Sequence, residues 1–154
     1  MQGRYFEEFS PGETFTTRGR TVTEADIVAF AGLSGDYNPL HTDKEFARNS
    51  PFGERIAHGL LGLSIQSGLS QGLGITEGTT IAFLGLTWNF KGPILIGDTI
   101  HVVQGVQEMR ETRKPDRGIV VFSVQVVNQK GEVVQEGSKT MMLRRKPAAA
   151  EPRP

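Results

Sequence analysis

AHGLLGLSIQSGLSQG, residues 57–72, is the segment from which the predicted architecture follows. It has no proline, and its helical spacing predicts one long helix whose repeating positions are Leu60, Leu61, Leu63, Ser64, Ser67 and Gly68. Five of the 19 glycines fall between Gly59 and Gly74, and each costs about 1 kcal/mol relative to alanine in a helix interior. A helix with so many glycines presents a face of small residues, so we expect another part of the molecule to pack closely against that face.

Beyond Thr79 the hydrophobic period changes to two, which is typical of half-buried strands. The apolar positions of the first run are Ala82, Leu84, Leu86, Trp88 and Phe90, and those of a later run are Val120, Phe122, Val124 and Val126. Residues 99–109 and 132–143 are also rich in β-forming residues, and residues 110–117 and 128–131 are predicted hairpin loops. Four sequential strands with short connections predict an antiparallel meander.

Ahead of these strands, the helix of residues 57–72 is the only element able to cover the apolar face of such a sheet. The predicted fold class is therefore α+β, with one antiparallel sheet curled around one central helix. An extended lead-in is expected over residues 13–20, and a short helical turn over residues 43–48.

A second, shorter helix is predicted from a capping signal. Thr23 is the expected N-cap with Asp26 three residues later, and the helix ends near Ser34 and Gly35. Its apolar residues, expected along one face, are Ile27, Val28, Phe30, Ala31 and Leu33.

Composition excludes several classes of function. The 17 basic and 17 acidic side chains balance, which argues against nucleic acid or a membrane surface as the main partner. The absence of cysteine removes thiol catalysis, cysteine-held zinc, iron–sulfur clusters and disulfides. No apolar run approaches the roughly 20 residues of a membrane span, and the start MQGRYFEEFS lacks the pattern of a secretory leader, so we expect a cytoplasmic protein.

The segment from Asp36 to His41 carries the candidate chemistry. It places a carboxylate and an imidazole five residues apart around Pro39, and such a turn can bring both side chains to one water molecule. Glycine, aspartate, asparagine and proline are also common turn formers, so the same residues fit a plain loop. The His41 imidazole is the feature that favours acid–base chemistry near neutral pH.

FAGLSGDYNPLHTDKEFA, residues 30–47, resembles the signature of the R-specific enoyl-CoA hydratases and MaoC-like dehydratases. That pattern has an aromatic residue, a small-Gly-Asp-x-Asn-Pro-aliphatic-His run, and a small residue six positions after the histidine. The chain matches every position, with Phe30, Ser34, Gly35, Asp36, Asn38, Pro39, Leu40, His41 and Ala47. FGERIAHGLLGLSIQSGL, residues 52–69, resembles the second block of the family, and YFEEFSPGETF, residues 5–15, is typical of its bacterial branch.

The resemblance implies the hot-dog fold, in which an antiparallel sheet wraps a long central helix, in agreement with the architecture predicted above. It covers residues 5–144, so we expect a single domain over residues 1–145. The remaining residues, 146–154, are rich in proline and alanine and are predicted to form a disordered tail.

The resemblance also assigns roles to single residues. Asp36 and His41 match the catalytic pair, which would activate the water that adds to the double bond of a trans-2-enoyl thioester. The backbone N–H of Gly59 would stabilise the enolate oxygen. Asn38 either stabilises the turn or assists catalysis directly, and Ser67 either bonds to the pair or is a small residue that permits close packing.

The other two histidines are not expected to be catalytic. His58 is interpreted as a structural residue at the start of the central helix, and His101 as an ordinary residue of the sheet. Three scattered histidines do not form a ligand set, so no metal is expected. The basic residues Arg110, Arg113, Lys114 and Arg117 either meet the phosphates of coenzyme A or of a carrier protein, or form a solvated hairpin tip.

The expected function is an (R)-specific enoyl-CoA hydratase, or 3-hydroxyacyl-CoA dehydratase, with a coenzyme A thioester as substrate and no cofactor. Alternatives are a (3R)-hydroxyacyl dehydratase acting on acyl carrier protein, a dehydratase of a branched dicarboxylic acyl-CoA, and a non-catalytic, regulatory protein that binds acyl thioesters. A thioesterase of the same fold would not need the whole motif. The fold further implies a homodimer or higher homo-oligomer, with neither nucleic acid nor a membrane as a partner.

Overall fold

A computed structural model describes residues 3–147 of the chain. After a short 3-10 helix at Phe6–Glu8, the helices are α1 (Glu24–Ser34), α2 (Pro39–Thr42), α3 (Lys44–Arg48) and α4 (Gly59–Gln71). The strands are β1 (Thr14–Thr16), β2 (Arg20–Thr21), β3 (Thr80–Phe90), β4 (Thr99–Glu111), β5 (Arg117–Val127) and β6 (Val133–Arg144). The predicted class, α+β with a long helix followed by a β half, is confirmed.

The six strands form one antiparallel sheet in the order β1-β4-β5-β6-β3, with β2 also paired to β4. The predicted meander is right for β4, β5 and β6, and wrong for β3, which pairs with β6. The cause is the connection from β3 to β4. Residues 91–98 do not form a hairpin. They lead from β3 to the residues just before α4, where the Ile94 carbonyl accepts the Ala57 N–H at 2.8 Å.

The central helix α4 packs on the inner face of the sheet with Leu61, Ile65 and Leu69, which join the core formed by β4, β5 and β6. Its buried face also includes Gly62, Gln66 and Ser70. The predicted small-residue face is wrong in its position, because Leu60, Ser64, Ser67 and Gly68 are exposed. Hydrophobic and small residues occur on both sides of this helix, so their spacing alone did not identify the buried side.

Only some of the glycines in this segment pack tightly. A Cβ added at Gly59 would lie 2.7 Å from the Phe90 ring, and one at Gly62 would overlap the Gln135 side chain. Gly68 has nothing within 4 Å of such an atom. The close approach expected for the whole segment therefore occurs at the first turn of α4, where the helix meets β3 and β6.

The capping box of α1 is confirmed, since Thr23 and Asp26 bond reciprocally and Gly35, at φ 75°, ends the helix in the left-handed region. The predicted apolar face is only partly right. Ile27 and Ala31 are buried, whereas Val28 and Leu33 are exposed.

The edge strand β3 exposes apolar side chains, with Phe83 at 57%, Leu84 at 47% and Phe90 at 55%. Register shifts near Thr80 and Phe83 interrupt the period of two, so the predicted half-buried pattern fails here. In β5, by contrast, the predicted apolar positions Val120, Phe122, Val124 and Val126 are all buried. One edge of the sheet is therefore apolar and uncovered within residues 3–147.

The structure describes little of the predicted tail. Lys146 bonds to Glu7 and Glu8 of the 3-10 helix, and the tail from residue 148 onward lies outside the described residues. Within the described part of the chain, no helix has both the length and the hydrophobicity needed to cross a bilayer.

Candidate active site

The loop between α1 and α2 is held by its own side chains. The Asp36 carboxylate accepts the Asn38 N–H at 3.1 Å, and the Asn38 side-chain oxygen accepts the Leu40 N–H at 3.0 Å. Asn38 is thereby the N-cap of α2, and Pro39 occupies the first position of that helix, where its missing N–H costs nothing. This sequence of turn and cap presents Asp36 and His41 from one short segment.

The His41 ring is fixed by a backbone carbonyl. Its Nδ1 lies 2.7 Å from the Ile56 carbonyl oxygen, and the Ile56 N–H in turn donates to the Leu40 carbonyl at 3.2 Å. Because a carbonyl can only accept, Nδ1 carries the hydrogen in the neutral ring. The Nε2 atom of His41 is then the nitrogen with a lone pair, able to accept a proton.

His58 lies directly beside this pair. It is 2% exposed, its Nε2 donates to the Asp36 carbonyl oxygen at 2.9 Å, and its ring stacks on His41 with centroids 3.8 Å apart. The Phe30 ring also contacts the His58 ring, with the two centroids 5.0 Å apart. The position at the N-terminus of α4 agrees with the structural interpretation of His58. The contact with both Asp36 and His41 was not foreseen.

Asp36, His41 and His58 form one cluster, in which one potential ligand atom from each residue lies within 4.8 Å of the others. The description of the histidines as scattered is therefore wrong for His41 and His58. His101 lies in β4 opposite Val127, as expected of a sheet residue. The cluster has the donor types of a metal site. However, His41 Nδ1 and His58 Nε2 are both bonded to backbone carbonyls.

Gly59 is the first residue of α4, so its N–H points out of the helix end and makes no hydrogen bond within residues 3–147. Its carbonyl accepts the Gln135 Nε2 at 3.0 Å, and the Gln135 Oε1 accepts the Trp88 indole N–H at 3.2 Å. Gln135 is 1% exposed and ties the helix start to β6 and β3. Sequence reasoning missed this residue, which lies 76 positions from Gly59.

His41 and Gly59 open into the same cavity, which has a volume of about 730 Å³. Its walls are mainly apolar, with Phe52, Ile56, Leu60, Phe90 and Ile94 among the lining residues. An imidazole and a free N–H at the end of an apolar cleft fit a ligand that has a polar reactive group and an acyl chain.

Ser67 is not part of this cavity. It lies eight residues after Gly59 in α4, which at 1.5 Å per residue is a distance of about 12 Å along the helix. Its side chain is exposed and lines a separate cavity. The basic hairpin is also elsewhere, and Arg110 and Arg117 pair with Glu108 and Asp116 respectively. The structure thus places Asp36 beside His41, and His41 in one cavity with Gly59. Asn38 serves as a helix cap, and Ser67 lies in a different cavity.

Comparison with known proteins supports the assignment by sequence. The model of the MaoC like domain family matches residues 7–128. The chain is 34% identical to a 3-hydroxybutyryl-CoA dehydratase of Methylorubrum extorquens, over 94% of this chain and 87% of that protein. It is also 34% identical to an (R)-specific enoyl-CoA hydratase of Rhodospirillum rubrum, over 90% of this chain and 91% of that protein.

Solved structures show the same fold. A protein of Archaeoglobus fulgidus, described as a monoamine oxidase regulatory protein, superposes with a TM-score of 0.89 at 38% identity, over 96% of this chain and 98% of that one. A MaoC-like dehydratase of Rhodospirillum rubrum superposes with a TM-score of 0.82 at 30% identity, over 95% and 100% of the chains. The hot-dog architecture implied by the sequence is therefore confirmed.

Proposed function

Since this chain belongs to the MaoC-like domain family, we propose that it is a hydro-lyase that reversibly adds water to a trans-2-enoyl thioester to give the (R)-3-hydroxyacyl thioester. The single observation that carries the proposal is the placement of Asp36 and His41. Their side chains lie within 4.8 Å of each other, and His41 faces the apolar cavity that also holds the free N–H of Gly59.

In the proposed reaction the water lies between the Asp36 carboxylate and His41 Nε2. The pair takes one proton from the water as its oxygen bonds to C3, and returns one proton to C2, so it ends in its starting state. Asp36 is the proposed base toward the water, and His41 orients the same molecule and shares in the transfer to C2. Because the two groups lie this close, the proton balance is written for the pair and not for either residue alone.

The Gly59 N–H is the proposed donor to the thioester oxygen. Negative charge builds on that oxygen as the enolate forms, and a fixed donor at the positive end of a helix stabilises it. The absence of a Cβ at Gly59 makes room for the Phe90 ring, which would lie 2.7 Å from such an atom. Gln135 holds the same residue from the opposite side through the Gly59 carbonyl. Asn38 contributes by capping the helix that carries His41.

Coenzyme A is the proposed carrier of the acyl group, as the substrate and with no further cofactor. Some relatives are named for coenzyme A substrates and others for carrier-protein substrates. A mitochondrial 3-hydroxyacyl-[acyl-carrier-protein] dehydratase of Arabidopsis thaliana is 32% identical over 80% of this chain. The same residues would dehydrate a substrate on a carrier protein, which is the second form of the proposal.

A homodimer is part of the proposal. The exposed apolar side chains of β3 lie on an edge strand, whose unpaired N–H and C=O groups can pair with a second copy of the same strand. Exposed Leu60, Ser64 and Gly68 of α4 offer a further surface without a partner in the described chain. Pairing of two such edges would continue the sheet from one protomer into the next.

A different class of function is suggested by one structural relative. The Archaeoglobus fulgidus protein is described as a regulatory protein, which corresponds to the non-catalytic alternative. The presence of both Asp36 and His41 favours catalysis, because a binding protein has no use for a paired base and acid.

The experiment that separates the two is hydration of crotonyl-CoA and longer 2-enoyl-CoA thioesters, followed by loss of enoyl absorbance. We expect turnover, with the (R)-3-hydroxyacyl thioester as product on chiral analysis. Tight binding of the thioesters with no turnover at any chain length would support the regulatory alternative and reject the hydro-lyase.

A further inference from the structure

A second cavity, separate from the candidate active site, holds a buried cation without a counter-charge. Lys139 of β6 is 9% exposed, and within residues 3–147 its ammonium has no carboxylate partner and lies over the ring of Phe122, 5.7 Å from the centroid. Burying an unpaired charge is costly, so proteins normally pair such a group or use it. Burial lowers the pKa of the Lys139 ammonium to about 8.

The cavity around Lys139 has a largely apolar lining that carries a few polar groups. Its volume is about 290 Å³, and its lining includes Ser67 and Ser70 of α4, Leu86 of β3 and Gln104 of β4. Gln104 is 1% exposed, and its Oε1 has no hydrogen-bond partner in the described chain. An unpaired buried acceptor costs free energy, and exchanging the positions of the amide oxygen and nitrogen would turn a donor toward the same space.

The position of this cavity relates it to the active site. Gln135 lines the active-site cavity and is paired with Phe90, while Lys139 lines the second cavity and is paired with Leu86. Four residues along a strand span about 13 Å, which matches the roughly 12 Å between Gly59 and Ser67 along α4. The same helix and the same pair of strands therefore run past both cavities.

We propose that the Lys139 cavity binds a carboxylate at the far end of the substrate's acyl group, so that the enzyme prefers acyl thioesters that end in a carboxylate. The proposal rests on the hydro-lyase function, because it places the reacting thioester at Gly59 and the chain along α4. One ammonium balances one carboxylate, and the hydroxyls of Ser67 and Ser70 are further donors to its oxygens. A half-turn of the Gln104 amide would direct its N–H groups to the same ligand.

The test compares two series of 2-enoyl-CoA thioesters of increasing length, one ending in a carboxylate and one in a methyl group. We expect wild-type protein to favour the carboxylate-ended member of a matched pair in kcat/KM by at least about tenfold, as for a buried charged contact of about 1.4 kcal/mol or more. Lys139→Met should reverse the preference, and Lys130→Met, which changes an exposed lysine of the β5–β6 turn, should keep it.

A second measurement needs no variant. Lys139 is the only titratable group among the residues that line the cavity on α4, β3, β4 and β6. The ratio of kcat/KM for the two substrates should therefore fall as the pH rises through about 8, while effects on the shared catalytic pair cancel in the ratio. An equal rate on both series, or a ratio that neither Lys139→Met nor pH changes, would overturn the proposal.

Thermal unfolding with free glutarate separates failure of this proposal from failure of the proposed function. With no turnover on either series, stabilisation by glutarate that disappears in Lys139→Met would reject the hydro-lyase and support a carboxylate site. Turnover without any dependence on Lys139 would reject the carboxylate site and leave the hydro-lyase standing. If neither turnover nor stabilisation by glutarate is observed, both the hydro-lyase and the carboxylate site are rejected.

Discussion

At the scale of single residues, the motif predicted which side chains meet but not the groups that hold them in place. Asp36, Asn38 and His41 are neighbours in sequence, so their spacing around Pro39 was enough to predict that they meet. His58 and Gln135 reach the same site from elsewhere in the chain, His58 lying 22 positions from Asp36. Nothing local in the sequence reports such contacts, because they exist only once α4 and β6 pack.

The role of His58 as a positioning residue can be tested with His58→Phe. The new ring can still stack on His41, but it cannot donate to the Asp36 carbonyl. We expect kcat to fall about tenfold or more, KM to change little, and stability to fall by about 1–3 kcal/mol from the unsatisfied carbonyl. Stopped-flow kinetics and urea unfolding measure the two effects. A loss of stability with unchanged kcat would show that His58 is structural only.

The buried Lys139 predicts an unusual pH dependence of stability. Its pKa is lowered from 10.5 to about 8 by burial, so below pH 8 the folded state carries the full cost of a buried charge, about 3 kcal/mol. Between these values the unfolded chain binds more protons than the folded one, and stability from this group rises with pH. Lys139→Met should therefore be more stable than wild type at neutral pH.

The stability advantage of Lys139→Met should shrink as the pH rises through about 8 toward 10.5. Urea unfolding of wild type and variant in parallel at several pH values measures the difference. A variant less stable than wild type at neutral pH would mean that the ammonium has a favourable partner in solution.

At the scale of elements, the sequence predicted the existence of helices and strands better than their orientation. The capping box predicted the start of α1, and the alternation of apolar and polar residues predicted β5. Both patterns depend only on residues close together in the sequence. The buried side of α4 was misassigned because polar Gln66 and Ser70 lie on it and bond to each other at 2.8 Å. Two buried polar residues that bond to each other cannot be distinguished, from the sequence alone, from residues on a solvent-exposed face.

Two glycine substitutions in α4 test the corrected orientation. In Gly62→Ala the new methyl group would displace the Gln135 amide and Ile94, so we expect a loss of about 1–3 kcal/mol from overpacking, together with lower turnover. Gly68→Ala meets nothing within 4 Å and should gain up to about 1 kcal/mol from helix propensity. Thermal unfolding compares the two. Equal stability of both variants would contradict the orientation.

At the scale of the whole molecule, local patterns could not supply the strand order or the surface proposed for the dimer. The meander prediction failed because the pairing of β3 with β6 joins residues about 50 positions apart, such as Thr87 and Ser138, whose hydroxyls bond at 2.8 Å. Only the resemblance to a known family carried information on that scale. Because β3 is an edge strand, its apolar side chains can remain exposed in a single chain, so the predicted alternation did not correspond to burial.

The proposed dimer edge can be tested with Leu84→Glu. Leu84 is 47% exposed on β3, so a charge there should cost a single chain little but should repel its copy across a paired edge. Sedimentation velocity should show a dimer for wild type and a monomer, or a much weaker dimer, for the variant. A wild-type chain that is monomeric at micromolar concentration would contradict the proposed interface.

If Asp36 and His41 together add water to an enoyl thioester, Asp36→Asn should lose most of the turnover. Asparagine keeps the size and the hydrogen-bond acceptor toward the Asn38 N–H but cannot take the proton. Measured by loss of enoyl absorbance, with His101→Ala in the sheet as the control, kcat should fall about 10²- to 10⁴-fold. Near-normal turnover by Asp36→Asn would contradict the account.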